Sequence, residues 1–326
     1  MDVTLFEKFH ADGLISDTSL EKIKIQSAKQ FFSLHWELKT ILYLGVLLLT
    51  SGIGVLVYKN IDTIGHQAIL LFIGLTSAGS FFYCYKKTQA FSFEKVESPD
   101  SFFDYILLLG CLTFITFVGY LQFQFNVFGQ RYGLAIFIPM VVLFFTAYYF
   151  DHLGVLSLAI TNLAAWAGIT VTPAEILKAN DFNSSILIIT GILLGVSLIL
   201  AGIVTQKRKI KPHFAFTYTN FGAHLLFISC LAAMFHFDTL YLLWFIILIA
   251  ICYFFYIKAI REKSFYFLLI LTLYAYIGIS YVIMRLIFNT GNFGIAGAYL
   301  AFMYFIASAI AITIFLIRMN KKIKST

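Results

Sequence analysis

LVYKNIDTIGHQAILLF, residues 56–72, breaks two long apolar runs with Lys59, Asn60, Asp62, His66 and Gln67. The runs on either side decide the fold. One covers about 41–58 and the other about 64–85, and a helix needs about 20 apolar residues to cross the hydrocarbon core. The polar knot between them has the length of a reversal. Asn60 and Asp62 suit turns because their side chains bond nearby amides, and Gly65 relieves backbone strain where the chain doubles back. The stretch therefore predicts a hairpin of two transmembrane helices.

Moving outward, the pattern recurs. Further apolar segments fall at about 102–121, 133–150, 153–171, 185–204, 214–236, 239–257, 264–288 and 293–317. The runs are continuous, whereas barrel strands would alternate apolar and polar residues, so the expected fold is an all-α polytopic bundle of about ten transmembrane helices. Composition agrees: 60% of the 326 residues are hydrophobic and 12% charged, with a mean hydropathy of +0.89. The net charge of +7 sits in short basic clusters beside apolar runs, which points to anionic lipid headgroups and not to nucleic acid. The first 38 residues lack the short apolar core and small-residue site of a cleavable signal, so the first run is expected to act as an uncleaved anchor.

Basic residues near span ends are retained on the cytoplasmic side. With the N-terminus inside, ten spans place every Lys and Arg inside except Lys59, Arg131, Lys178 and Arg285. This regularity predicts a multi-pass protein of the inner (cytoplasmic) membrane with both termini cytoplasmic. Three parts result: a prelude at 1–38, a bundle at 39–318, and a basic tail at 319–326.

The prelude LFEKFHADGLISDTSLEKIK, residues 5–24, reads as two short helices. Gly13 is suited to end the first, and Thr18 with Glu21 has the spacing of a capping box for the second. Leu5, Phe6 and Phe9, then Leu20 and Ile23, give each an apolar face. Those faces are expected to dock on each other, on the inner leaflet, or on a cytoplasmic partner protein.

DGLIS in the prelude, followed by ILYLGVLLLTSGIGVLVYKNID at 41–62, resembles the bacterial membrane proteins catalogued as domain of unknown function 2157 (DUF2157). That family shows a Gly-Leu-Ile-Ser-like turn and a first span ending in Asn-Trp-Asp; here Ile61 replaces the tryptophan. The resemblance covers roughly residues 5 to 75. It implies a bacterial multi-pass membrane protein and carries no activity.

Reaction chemistry is absent from the sequence. There is no H-E-x-x-H, no Walker lysine loop and no G-x-G-x-x-G after a strand, so neither an enzyme nor a cofactor is expected. Cys84, Cys111, Cys230 and Cys252 lie in apolar segments without C-x-x-C spacing and read as small buried hydrophobes, with no metal site. Acids avoid the middle of every span. Asp104 and Asp151, the latter beside His152, fall at inner ends.

Polar residues inside spans are the remaining candidates. In FAFTYTNFGAHLLF, residues 214–227, Thr217, Asn220 and His224 align on one helical face near mid-depth. Thr161 and Asn162 lie at similar depth in span five, which suggests an interhelical contact. These groups either glue helices together or form a binding site. Arg285, in SYVIMRLIFNTGN at 280–292, either snorkels to the outer interface or points inward to Asp62 or Asp238. With Asn60, Asp62, His66 and Arg131 it would border an outer vestibule. In GITVTPAEILKAND, residues 168–181, Thr172, Pro173 and Glu175 predict a short surface helix.

Ten spans admit a five-plus-five inverted repeat. Gly45-Val46-Leu47-Leu48 with Gly52 matches Gly195-Val196-Ser197-Leu198 with Gly202. The functional expectation is a carrier or channel for a small solute. The alternative is a scaffold or sensor acting through the prelude, and a lipid-processing enzyme ranks third.

Overall fold

The computed structural model describes residues 9–12, 14–22, 34–171, 184–290 and 294–325, excepting the side chains of 34–39, 56–58, 60–64, 289, 290, 294 and 322–325. Among these residues there is no β-strand, and ten long helices follow in order. They are α1 (Leu34–Ile64), α2 (His66–Lys87), α3 (Ser101–Phe125), α4 (Tyr132–Phe150) and α5 (Leu153–Val171). Then come α6 (Ser185–Arg208), α7 (Phe214–His236), α8 (Tyr241–Arg261), α9 (Phe265–Arg285) and α10 (Gly294–Ser325). Helices α2 to α10 are each long and apolar enough to cross a membrane, and the described apolar stretch of α1 is Thr40–Val55.

The opening knot is resolved differently from expectation. Helix α1 continues through Asn60 and Asp62 to Ile64, and the reversal is confined to Gly65, with φ +81°. Only a residue without a Cβ reaches that left-handed conformation cheaply, so Gly65 ends one helix while His66 starts the next. Thus no extended turn spans 59–68.

In the prelude, residues 9–11 and 17–22 are helical. The second helix starts from Ser16, whose carbonyl accepts from the amides of Ser19 and Leu20 at 3.0 Å each. The cap is therefore Ser16 and not Thr18, because the chain turns helical two residues earlier than the capping box implies. Gly13, Leu5, Phe6 and Ile23 lie outside the described residues, as does the surface helix expected from Thr172, Pro173 and Glu175.

The chain forms two compact units, Met1–Lys87 with Pro99–Thr113, and Thr88–Ser98 with Phe114–Thr326. Within the first, α2 and the start of α3 pack through small residues. The Ser77 hydroxyl donates to the Gly110 carbonyl at 3.1 Å, and a Cβ on Gly110 would come within 2.9 Å of the Ser80 Cβ. Such close approach replaces the hydrophobic driving force that helices lack among lipid tails. Asp100 caps α3 by accepting from the Phe103 amide at 2.6 Å.

In the second unit α7 is the most enclosed helix. Its seam with α6 is closed by glycines. A Cβ on Gly222 would fall 2.8 Å from the Gly195 carbonyl oxygen, and one on Gly202 would fall 2.8 Å from Thr219 Oγ1. The matching glycines of α1 play no such part: a Cβ on Gly45 or Gly52 meets no described atom within 4 Å. On its other side α7 packs by rings. Phe227 stacks on Tyr274 at 4.9 Å and touches Phe255 at 5.4 Å. Elsewhere, large apolar side chains such as Leu193, Ile246 and Phe302 point outward, as lipid-facing surfaces require.

Candidate functional site

Helix α7 places Asn220 and His224 on the side that meets α9, where two tyrosines receive them. Tyr266 donates its hydroxyl proton to Asn220 Oδ1 at 2.8 Å, and its oxygen lies 3.3 Å from His224 Nε2. Tyr274 lies 2.8 Å from His224 Nδ1. A phenol has one proton, so Tyr266, having given its own to Asn220, accepts from Nε2–H. The neutral imidazole then accepts from Tyr274 through Nδ1. The result is a directed chain, Tyr274 to His224 to Tyr266 to Asn220. His224 is the eleventh residue of the 23 in α7, which puts its ring about 15 Å from the helix start at 1.5 Å per residue, while Tyr266 is the second residue of α9.

Other expected members lie elsewhere. Thr217 is buried on α7. Asn162 donates to Leu158 O of its own helix at 3.0 Å, and Thr161 does the same to Ser157 O at 2.9 Å. Both side chains thus donate within α5. Of the vestibule residues, His66 opens α2 in the first unit and exposed Arg131 precedes α4 in the second. The side chains of Asn60 and Asp62 are outside the described set.

Arg285 has found one of its two expected carboxylates. Its Nη1 donates to Asp238 Oδ1 at 2.7 Å and to the Tyr281 hydroxyl at 2.7 Å, while Tyr241 presents its ring face 4.4 Å from Cζ. The arginine side chain is 20% exposed and the aspartate 74%. A delocalised guanidinium between aromatic faces is a stable arrangement at a span end.

A second polar centre was not read from the sequence. Asp151 occupies the tight turn between α4 and α5, at φ +57°. Its Oδ2 accepts from the Val96 amide at 2.6 Å and from Lys211 Nζ at 3.0 Å. Its Oδ1 lies 2.6 Å from His213 Nε2. Lys211 in turn reaches the Glu94 carbonyl at 3.2 Å, and its own amide donates to Phe93 O at 2.7 Å. Both charged side chains are 1% exposed. Such burial is tolerated because nearly every polar atom of the pair has a partner. The strap 88–98 is thereby pinned onto the turns before α5 and α7. Lys211 belongs to the same inner basic cluster as Lys207, Arg208 and Lys209, yet its charge is neutralised internally. The partners stand 60 residues apart, and no local pattern marks Lys211 from its neighbours.

His213 links this junction to a cleft of about 190 Å³ bordered also by Gln206, Thr219, Lys258, Glu262 and Phe267. The Nδ1 of His213 is buried and meets no hydrogen-bonding group among the described residues.

Residues 7–156 match the DUF2157 family, described as predicted membrane protein. The DUF2157 match reaches well past the 5–75 stretch on which the resemblance rests, into the first turn of α5. It takes in the strap and Asp151, while Lys211 and His213 fall beyond it. No curated protein and no solved structure matches the chain.

Proposed function

We propose that this DUF2157-matching membrane protein is a carrier or channel for a small polar solute, with the Asn220–Tyr266–His224–Tyr274 chain as its mid-membrane site. The observation that carries the reading is that both ring nitrogens of His224 are engaged by hydroxyls from another helix. Every member of that chain can exchange donor and acceptor roles with a polar guest. Protonating His224 would make Nδ1 a donor and force the Tyr274 hydroxyl to turn, so the chain has two states. The membrane is taken to be the cytoplasmic one, with both termini inside, on the strength of the basic bias.

The test is flux through proteoliposomes, using labelled amino acids, sugars and carboxylates together with a lumenal pH dye. One solute class or protons should move, and Tyr266→Phe and His224→Phe should slow that movement about tenfold or more at near-constant thermal stability. Vesicles as tight as protein-free ones to every probe would remove the proposal.

A further inference from the structure

The cleft beside His213 shares no lining residue with the Asn220–Tyr266–His224–Tyr274 chain, and its chemistry suits a different ligand class. We propose that it binds a phosphate group, carried by a phospholipid headgroup or by a free phosphate compound.

Three observations converge. First, the lining offers donors of different kinds around one small space: the Lys258 ammonium, the Gln206 amide, the Thr219 hydroxyl and the His213 ring. Donors of several kinds around one cleft suit a group with several acceptor oxygens. Second, His213 is fixed by Asp151, which as a carboxylate only accepts, so Nε2 carries hydrogen toward it. The opposite nitrogen, Nδ1, is the buried polar atom without a described partner. A buried orphan of this kind is costly unless something satisfies it. Third, the surroundings are cationic. Lys207, Arg208, Arg261 and Lys263 are exposed at the same helix ends, and the first turn of α7 forms part of the wall, where the helix dipole favours negative charge.

Among the described residues that line the cleft, Glu262 is the one with a carboxylate, Asp151 lying behind His213. It holds Lys258 at 2.5 Å, and its side chain is 38% exposed, so it steadies the ammonium at the cleft mouth. Lys258 also lies over the Phe267 ring at 5.8 Å, which keeps it near the cleft when Glu262 is displaced.

The experiment compares full-length wild type with Lys258→Gln, His213→Gln, Glu262→Gln and the rim variant Lys207→Gln. Detergent-solubilised protein is titrated calorimetrically with inorganic phosphate, and nanodisc-embedded protein is assayed for retention of phosphatidic acid over phosphatidylcholine. Lys258→Gln and His213→Gln should weaken binding about tenfold or more, the loss of a charged hydrogen bond. Lys207→Gln should weaken it only slightly, and Glu262→Gln should leave it unchanged or tighter. Binding of both probes assigns the site to the phosphate group alone; binding of phosphatidic acid only assigns it to a lipid headgroup. Three results overturn the proposal: no binding of either probe, equal loss in Lys258→Gln and Lys207→Gln, or weakening by Glu262→Gln. Lys258 is outside the buried junction, so the conclusion stands on it even if His213→Gln fails to fold.

Discussion

Lys211 Nζ lies 3.0 Å from Asp151 Oδ2, and each side chain is 1% exposed. Removing one partner leaves the other buried and uncompensated, which costs about 3–5 kcal/mol. Asp151→Asn or Lys211→Met alone should therefore lower the unfolding temperature sharply and open residues 88–98 to protease. The double variant should recover part of the loss, since it strands no charge. Differential scanning fluorimetry and limited proteolysis with mass mapping would show both effects. A double variant less stable than either single would contradict the account.

The seam between α6 and α7 makes a contrasting prediction. Gly222→Ala sets a methyl 2.8 Å from a backbone oxygen, and backbone cannot step aside as a flexible side chain can. Overpacking of this kind costs about 1–3 kcal/mol. Gly45→Ala, with no described atom within 4 Å, should be neutral or mildly stabilising, because alanine is the better helix former. Thermal unfolding in one detergent compares the two directly.

At the other end of the second unit, Arg285 and Asp238 should differ in weight. Asp238 is mostly exposed, so Asp238→Asn is expected to cost under about 1 kcal/mol. Arg285→Met also forfeits the Tyr281 hydrogen bond and the Tyr241 ring contact, so it should lower the unfolding temperature further than Asp238→Asn does. Equal losses in a paired thermal-shift experiment would show that the rings contribute nothing.

Sidedness is open to a simple measurement. A phosphatase or fluorescent reporter fused after Thr326 should report the cytoplasm, as the placement of Lys and Arg requires. Periplasmic phosphatase activity would reverse the assignment.

The spans were legible because a bilayer of fixed thickness demands long unbroken apolar runs. The expected 153–171 and 214–236 coincide with α5 and α7 as observed. The face shared by Asn220 and His224 was legible too, through the helical repeat alone. Their tyrosine partners were not: Tyr266 and Tyr274 sit some 50 residues on, among 19 tyrosines, and nothing local distinguishes them. The same holds for Lys211, which reads as one more interfacial cation until the turn carrying Asp151 is folded against it. Asn60 and Asp62 misled for the opposite reason. Their turn propensity is local, and the continuing helix overrode it up to Gly65, the first residue to which positive φ costs nothing.

Where carbonyl and α-carbon touch across α6 and α7, no layer of adaptable side chains remains to be rearranged. The two helices must then travel as a single beam. Sliding is left to contacts made by longer side chains, such as those of α9, whose Tyr266 and Tyr274 hydroxyls can let go of one partner and take another. If this protein changes shape as it works, α9 is the part that should be caught in two positions.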